Sequence, residues 1–596
     1  MRVRAAYAER STGELVLGPP KSRAARRVVG IPSSIVPALR EHLSLFVPPE
    51  ADALIFPGTK GGPLRRSNFN KMAAWPHAVR AIGAEGHRDQ LTPAGRRGMR
   101  AFLEWKSRRR RTSRRPKEPL VAGQAHASGA RHRVVIIGSG FGGLFAAKAL
   151  RRADVDVTIV SKTGYHLFQS LLYQVATGIL SEGEVAPATR GILRRQRNTD
   201  ILLGEVTEVD LAARTVSFGT PPGFTRIFST QTISYDSLIV TAGAGQSYFG
   251  NERFADHAPG MKSIDDALEL RARIFGSFEI AELQDDPEVA RAWMTFVLVG
   301  AGATGVEMAG QIAELARDTL RRDYRHIDPR QARVILVDAQ TAVLPTFHQK
   351  LQRAAARRLE KFGVELQLGV KVVDMDADWV EVEDPDGTRR RIQSWCKVWC
   401  AGVAASPLGR QLADQAGAET DHAGRVEVNP DLTLPGHPEV FLVGDLITLD
   451  NLPGVCQVAM QGGKHAARQI VRRLEGDESG QPFHYFDKGN LATVSRFHAV
   501  GDIKGFRLAG FPAWLVWLGV HIFYLIGFKN RVTTLFHWAI TFVSRGRSER
   551  TATVQQVFAR RAIRREAELR AELEEARRAV GLTQPGDVAV TPSDDR

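Results

Sequence analysis

Cysteine is nearly absent: 596 residues hold three, Cys396, Cys400 and Cys456. Three thiols cannot build a disulfide framework, and so few suit a reducing compartment. An apolar leader is also missing, because "MRVRAAYAERSTGELVLGPP" is broken throughout by charge, glycine and proline; no signal peptide is expected. The longest uncharged run lies at residues 508–528. Acidic residues are scarce only at the front. Residues 1–133 carry 27 Lys+Arg against 9 Asp+Glu, whereas the remainder carries 54 against 56. The formal charge of +16 therefore describes an appendage and not a basic catalytic body. A chain this long exceeds one core, so three or four domains are expected.

What is present is a pair of glycine-rich turns. "RVVIIGSGFGGLFAAKAL" sets a short apolar strand, Val134–Ile137, before the triplet Gly138, Gly140 and Gly143, with Gly142 beside the last, then an apolar-periodic helix. The first glycine permits a tight turn, the second lets backbone approach a pyrophosphate, and the third lets helix and strand pack closely. "MTFVLVGAGATGVEMAGQIAEL" repeats the pattern with Gly300, Gly302 and Gly305. Its next strand, "RVILVDA", ends in Asp338, a carboxylate able to accept ribose hydroxyls and to repel a 2′-phosphate, which favours NADH over NADPH. The first copy ends its next strand in Ser161 and Lys162 instead, so adenosine hydroxyls there fall to Ser161 or backbone. Two such turns imply two dinucleotides, and FAD with NADH is the economical pairing. Further flavin anchors are expected in "YDSLIVTAGAGQSYFG" (Gly243), "CKVWCAGVAASPLG" (Gly402) and "EVFLVGDLITLD", where Asp445 follows a buried strand.

The front segment carries a different resemblance. "PKSRAARRVVGIPSSIVPALREHL" and "ADALIFPGTKGGPLRRSNFNKMAAWPHAVRAIG" resemble the catalytic domain of tyrosine recombinases, with Lys21 matching that family's hairpin lysine. The departures are large. The first catalytic arginine would precede Met1, "HRDQLTPAGRRG" replaces the His-x-x-Arg signature, and after Tyr7 no tyrosine appears until Tyr165. Without nucleophile and arginine clamp there is no strand transfer, so nucleic acid is an unlikely partner.

Residues 131–560 resemble the two-dinucleotide flavoprotein reductases and, within them, type II NADH dehydrogenases of mycobacterial and related actinobacterial type. The motifs are "HLFQSLLYQVATG", "GVEMAGQIAEL", "FLVGD", "CQVAMQGGKHAA" and "TVSRFHAV" followed by "FPAWLVWLGVHIFYLIGFKNR". The resemblance implies an FAD-dependent, non-electrogenic NADH:quinone oxidoreductase, usually a homodimer on the cytoplasmic membrane face, reducing menaquinone or ubiquinone. It also implies site residues. Glu307, read as lying on the first turn of the second nucleotide helix, matches a glutamate beside nicotinamide and quinone; a plain acid complementing the helix dipole is the alternative. Gln457 and Gln461, four apart on one helix face, match an Ala-Gln-x-x-x-Gln pattern near the quinone, with Cys456 in place of alanine; a solvated face is the alternative. Ser170 replaces a family proline, and Tyr173 and Gln174 are retained. Cys396 and Cys400 read as packing residues and no metal site is expected, which argues against a sulfide:quinone reductase; an NADH oxidase of the same group is the other rival.

The expected architecture is α/β: two Rossmann-like dinucleotide-binding domains, a C-terminal membrane-associated helical region and a basic N-terminal appendage. The segments are 1–104 (integrase-like), 105–130 (linker), 131–290 and 396–495 (FAD-binding), 291–395 (NADH-binding), 496–550 (membrane attachment) and 551–596 (charged helix and tail). For residues 508–528, aromatic content, basic residues at both ends and the apolar "VTTLFHWAITFV" that follows favour lying in the interface over spanning it or sitting in a core, with Arg545, Arg547 and Arg550 meeting anionic lipid. Because the front segment carries no readable chemistry, deleting residues 1–125 should leave flavin content and NADH:quinone activity within about twofold of the full chain. Loss of bound flavin on deletion would overturn that reading.

Overall fold

A computed structural model describes residues 131–219, 230–553 and 556, together with two short strands, Ala6–Glu9 and Leu15–Gly18, which pair antiparallel. The recombinase-like reading, the basic linker and the charged tail helix otherwise lie outside the described residues.

From residue 131 the chain forms β1 (His132–Ile137), α1 (Phe141–Ala149), β2 (Val155–Ser161), β3 (Thr199–Leu203) and β4 (Ser237–Val240). It crosses along a linker strand, Ala244–Gln246, into β5 (Thr295–Val299), α2 (Ala303–Glu314), β6 (Arg333–Asp338), β7 (Val364–Leu368) and β8 (Cys396–Trp399). The linker strand Val403–Ala405 returns antiparallel to the first, and β9 (His437–Leu442) and α3 (Cys456–Leu474) follow. The end is built from β10 (Asn490–Ser495), β11 (His498–Ile503), β12 (Phe506–Gly510), α4 (Phe511–Tyr524) and α5 (Phe528–Ser544). The first sheet runs β9-β4-β1-β2-β3 in parallel, with Thr433–Leu434 antiparallel at the β9 edge. The second runs β7-β6-β5-β8, all parallel. Every residue of β5 is buried, the pattern of a strand covered on both faces.

The glycines behave as the spacing predicts. Gly138 and Gly300 sit at φ +98° and +105°, where a Cβ is strained. A Cβ on Gly143 would lie 2.0 Å from the Gly138 carbonyl oxygen, and one on Gly305 would lie 1.8 Å from that of Gly300. Gly142 has a second role, since a Cβ on Gly463 would stand 2.2 Å from its carbonyl oxygen where α3 crosses α1.

Two segment boundaries move. β8 pairs with β5, Phe296 opposite Cys396, so residues 396–399 complete the second sheet and do not open the returning FAD segment. Tyr248 and Phe254 pack on Trp399 and Val297, so the second domain already begins just after the first linker strand and not at 291. Parallel pairing joins strands 100 residues apart, and a four-residue apolar run carries no mark of its partner. In addition β10–β12, read in part as membrane attachment, form an antiparallel sheet against α2.

The uncharged run at 508–528 is not one helix. Its first residues finish β12, Gly510 turns at φ +80°, and α4 holds 14 residues. Among the described residues no helix is long and apolar enough to cross a membrane. Trp517 and Trp538, both fully buried, join α4 to α5 at a ring separation of 5.2 Å. Outward, Phe523, Phe528, Phe536, Ile540 and Val543 are 60–85% exposed. The arginines expected at lipid have partners within the protein, and of the three only Arg547 is buried. Arg547 is buried, donating to Gln311 Oε1 at 2.9 Å with Glu314 3.9 Å away; Arg550 pairs with Asp323, and Arg545 lies 3.7 Å from Asp318. Those acids belong to the α2 side of the fold, far in sequence, so charge pattern alone does not reveal these partners.

The closest approach in the body is between α2 and β10, where a Cβ on Gly310 would lie 1.7 Å from the Val494 carbonyl oxygen. Gly310→Ala should therefore force helix and strand apart at a cost of about 1–3 kcal/mol. Thermal denaturation should register a Tm several degrees lower; an unchanged Tm would mean this contact is looser than described.

Candidate active site

The first cradle is the β1–α1 turn. A Cβ on Gly140 would meet nothing within 4 Å, and no side chain caps α1, so its leading N–H groups are open to an anion. Ser161 is buried with its hydroxyl 2.9 Å from that of Ser139, inside the turn, whereas Lys162 is exposed. His166, missed by sequence reading, lies fully buried with Nδ1 3.0 Å from the Ser139 carbonyl oxygen. Burial pushes its pKa down to about 4, so the ring is neutral, Nδ1 donates to the carbonyl, and Nε2 is left as a buried acceptor without a partner.

A cavity of about 350 Å³ opens between the linker strands and the start of α3, lined by Lys262, Arg425, Gly444, Asp445 and Gly454 among others. Burial raises the Asp445 carboxyl above its ordinary range, while Lys262 and Arg425 pull it back. Lys262 itself is lowered by desolvation and supported by Asp445. A Cβ on Gly243 would meet nothing, as a ligand-facing turn requires. Gly402 differs: a Cβ there would strike the Ser247 carbonyl oxygen at 2.7 Å, so the crossing of the linkers demands that glycine. Bare helix N–H groups, an orphaned buried imidazole nitrogen and a buried carboxyl in a cavity fit the pyrophosphate and polyol of FAD.

The second cradle repeats the geometry. A Cβ on Gly302 would meet nothing, and Asp338 turns onto the loop, Oδ2 accepting from the Ala301 N–H at 2.5 Å and Oδ1 from the Gln340 N–H at 2.7 Å. Those bonds hold the carboxylate against the glycine-rich turn.

Glu307 is the fifth residue of α2, one turn deeper than expected, so a helix-dipole role fails and burial takes over. Desolvation raises its carboxyl to about 8, against one hydrogen bond from the Thr493 N–H at 3.3 Å. It is therefore protonated at neutral pH. Close by, the Tyr173 phenol donates to Thr493 Oγ1 at 3.3 Å and accepts from Gln174 Nε2 at 3.0 Å. Burial raises all three thiols, Cys396 and Cys456 to about 11 and Cys400 to about 12, so none is a thiolate nucleophile.

Gln457 and Gln461 share a face of α3 but not a role. Gln461 donates to the Phe486 carbonyl at 2.9 Å and accepts its N–H at 3.0 Å, so its amide is spent on backbone. Gln457 donates to the Gly489 carbonyl at 3.1 Å and keeps Oε1 buried without a protein partner. Around Glu307, Tyr173, Gln174, Thr493, Trp538 and Arg547 converge from positions as far as 374 apart in the chain. Among the described residues, no group of three or more His, Cys, Asp or Glu is placed to hold a metal.

Known proteins match this arrangement. The family model for pyridine nucleotide-disulphide oxidoreductases covers residues 132–463. The type II NADH:quinone oxidoreductase Ndh of Mycobacterium tuberculosis is 58% identical over 444 residues, 74% of this chain and 95% of its own length. NdhA of the same organism is 54% identical over 446 residues, 74% of this chain and 93% of its own. A solved NDH2 from Plasmodium falciparum in complex with NADH shares the fold, with a TM-score of 0.64 at 18% identity, covering 69% of this chain and 98% of that one. A sulfide:quinone oxidoreductase from Aquifex aeolicus also shares it, at 0.54 and 16% over 69% of this chain and 95% of its own, so fold alone does not separate the two chemistries. The glycine cradles, the acid on the second and the long identity to the mycobacterial enzymes together place the chain in the type II NADH:quinone oxidoreductases.

Proposed function

We propose that in this NADH:quinone oxidoreductase the first cradle and the cavity at Asp445 hold FAD, the second cradle holds NADH, and Glu307 keeps a proton for the quinone. Bound flavin supplies the redox chemistry, taking hydride from NADH and giving two electrons to quinone. The protein's part is position and charge. Asp338 selects the unphosphorylated ribose, Asp445 accepts from polyol hydroxyls, and Gln457 offers a vacant amide oxygen. The observation that carries the reading is Glu307: a carboxyl buried without a cation, raised to about 8, on the helix that opens the NADH cradle. A group protonated at pH 7 can donate as a quinone gains charge. Neutral, separated thiols disfavour the sulfide alternative.

The lipid surface is proposed on the outer faces of α4 and α5. Its cations are not the arginines expected from sequence but Lys148 and Lys464, whose amines lie 5.5 and 5.2 Å from the Phe145 ring, joined by Arg531. Burial and those two neighbouring cations hold Lys148 below its ordinary range, and none of the three forms an ion pair with an acid among the described residues. An apolar face beside unpaired cations suits the anionic headgroup region, where a quinone can be met. Attachment to one face as a homodimer, on the cytoplasmic side, remains the family-based reading; menaquinone and ubiquinone both fit.

The decisive experiment separates the half-reactions. Glu307→Gln should leave flavin bleaching by NADH within about threefold and slow reoxidation by quinone roughly 10²-fold or more. The wild-type reoxidation rate should fall as pH rises through about 8, and the variant should lose that limb. Stability follows the same sign. Between the ordinary 4.5 and about 8 the folded chain holds a proton at Glu307 that the unfolded chain releases, so Tm should decline across that window and flatten in the variant. Equal slowing of both half-reactions would overturn the assignment. For the lipid surface, Lys148→Gln with Lys464→Gln should weaken binding to anionic vesicles roughly tenfold or more, at about 1 kcal/mol per charge, with turnover of a water-soluble quinone unchanged. Vesicle affinity equal to wild type would exclude this patch.

A further inference from the structure

The buried polar groups around Glu307 form a continuous line that ends on α5. Trp538, fully buried, points its indole N–H at Gln174 Oε1, 2.6 Å away. An indole nitrogen only donates, so the atom facing it is the amide oxygen and the Gln174 side chain has one permitted orientation. Gln174 Nε2 must then donate inward to the Tyr173 hydroxyl at 3.0 Å. The phenol, its lone pair taken, donates onward to Thr493 Oγ1 at 3.3 Å. Thr493 in turn gives its backbone N–H to Glu307 Oε1 at 3.3 Å. All five side chains are buried, and every bond points the same way, from Trp538 toward the carboxyl.

We propose that Trp538 is a positioning residue for quinone reduction, acting through Gln174, Tyr173 and Thr493 to fix the environment of Glu307. The inference rests on the proton-holding role of Glu307 given above. Without the indole donor the Gln174 amide is free to rotate by half a turn and present its oxygen to Tyr173. The phenol then donates to Gln174, the Thr493 hydroxyl loses its donor, and the O–H dipole beside Glu307 reverses, while the Thr493 backbone N–H, held in β10 opposite Ala499, stays on the carboxyl. Chains of this kind depend on every member being satisfied, and removing a terminal donor propagates inward. The titratable groups around Glu307 are Tyr173, Cys400 and, beyond the phenol, Arg547 with Glu314; phenol and thiol are kept neutral by burial. The carboxyl therefore takes its setting chiefly from Thr493 and the phenol. α5 is separately fastened to the turn at Glu182–Val185, where His537 meets Glu184 at 2.8 Å and Asn530 Nδ2 donates to the Glu184 carbonyl at 2.9 Å. Helix placement therefore does not depend on the Trp538 N–H, and the line can be cut without releasing α5.

The test compares Trp538→Phe, which keeps the ring and deletes the N–H, with Gln174→Met and with the double variant, all as flavin-loaded full chains. Flavin reoxidation by quinone should slow roughly fivefold in Trp538→Phe, the size expected for one lost buried hydrogen bond. Its limb near pH 8 should move by about half a unit or more, while bleaching by NADH stays as in wild type. The double variant should be no slower than the slower single, because the residues act in series. Trp514→Phe, a packing control whose ring sits against Phe497 and Phe542, should leave the pH profile in place. A wild-type profile in Trp538→Phe, or additive losses in the double variant, overturns the inference. If Glu307→Gln itself spares quinone reduction, the reading beneath it falls instead, and the two failures are told apart.

Discussion

One contact sets the surroundings of Glu307: the bare approach of α2 to β10 at Gly310 and Val494. With no Cβ in the way, strand backbone lies directly on the helix that opens the NADH cradle. The neighbouring residue, Thr493, then reaches Glu307, which is left buried. Desolvation without a paired cation is what lifts Glu307 to about 8. A looser contact would admit water and return the group to an ordinary anion. The raised pKa of Glu307 is thus a product of packing between two secondary structures, not of any charge placed beside it.

The same crowding organises the surroundings. Both cradles use a glycine to bring helix against strand, and α3 crosses α1 over Gly142 and Gly463 by the same device. Backbone N–H groups are left open at the two helix starts, where anions bind. Between the cradles the two linker strands pair antiparallel, and their crossing needs Gly402. Beyond β12 the fold ends in two short aromatic helices. Their inner faces meet through Trp517 and Trp538 and their outer faces are apolar and bare. The polar line from Trp538 to Glu307 then connects the apolar end of the molecule with the helix that follows the second glycine turn.

Local patterns proved readable where the physics is local. Gly138, Gly140, Gly143 and their counterparts were legible because a tight turn between strand and helix imposes its own spacing, and Asp338 and Asp445 follow strands whose burial is written in their apolar runs. Legibility failed wherever the partner was distant. Gln461 shares a face with Gln457, yet Phe486 takes its amide. Arg545, Arg547 and Arg550 look like a lipid-facing cluster until Asp318, Gln311 and Asp323 are seen beside them. β8 reads as the start of a returning segment because nothing in four apolar residues names β5 as its neighbour.

The amino-acid sequence by itself determined the two glycine-rich turns, the acid that closes the strand after the second, and the location of the excess basic charge in residues 1–133. Each depends on residues close along the chain, where steric and electrostatic effects act directly. Only the tertiary structure decided the protonation state of Glu307, the neutrality of the thiols, the division between paired and unpaired cations and the line through Gln174 and Tyr173. Those properties come from what surrounds a group in space, and burial assembles that surrounding from segments hundreds of residues apart.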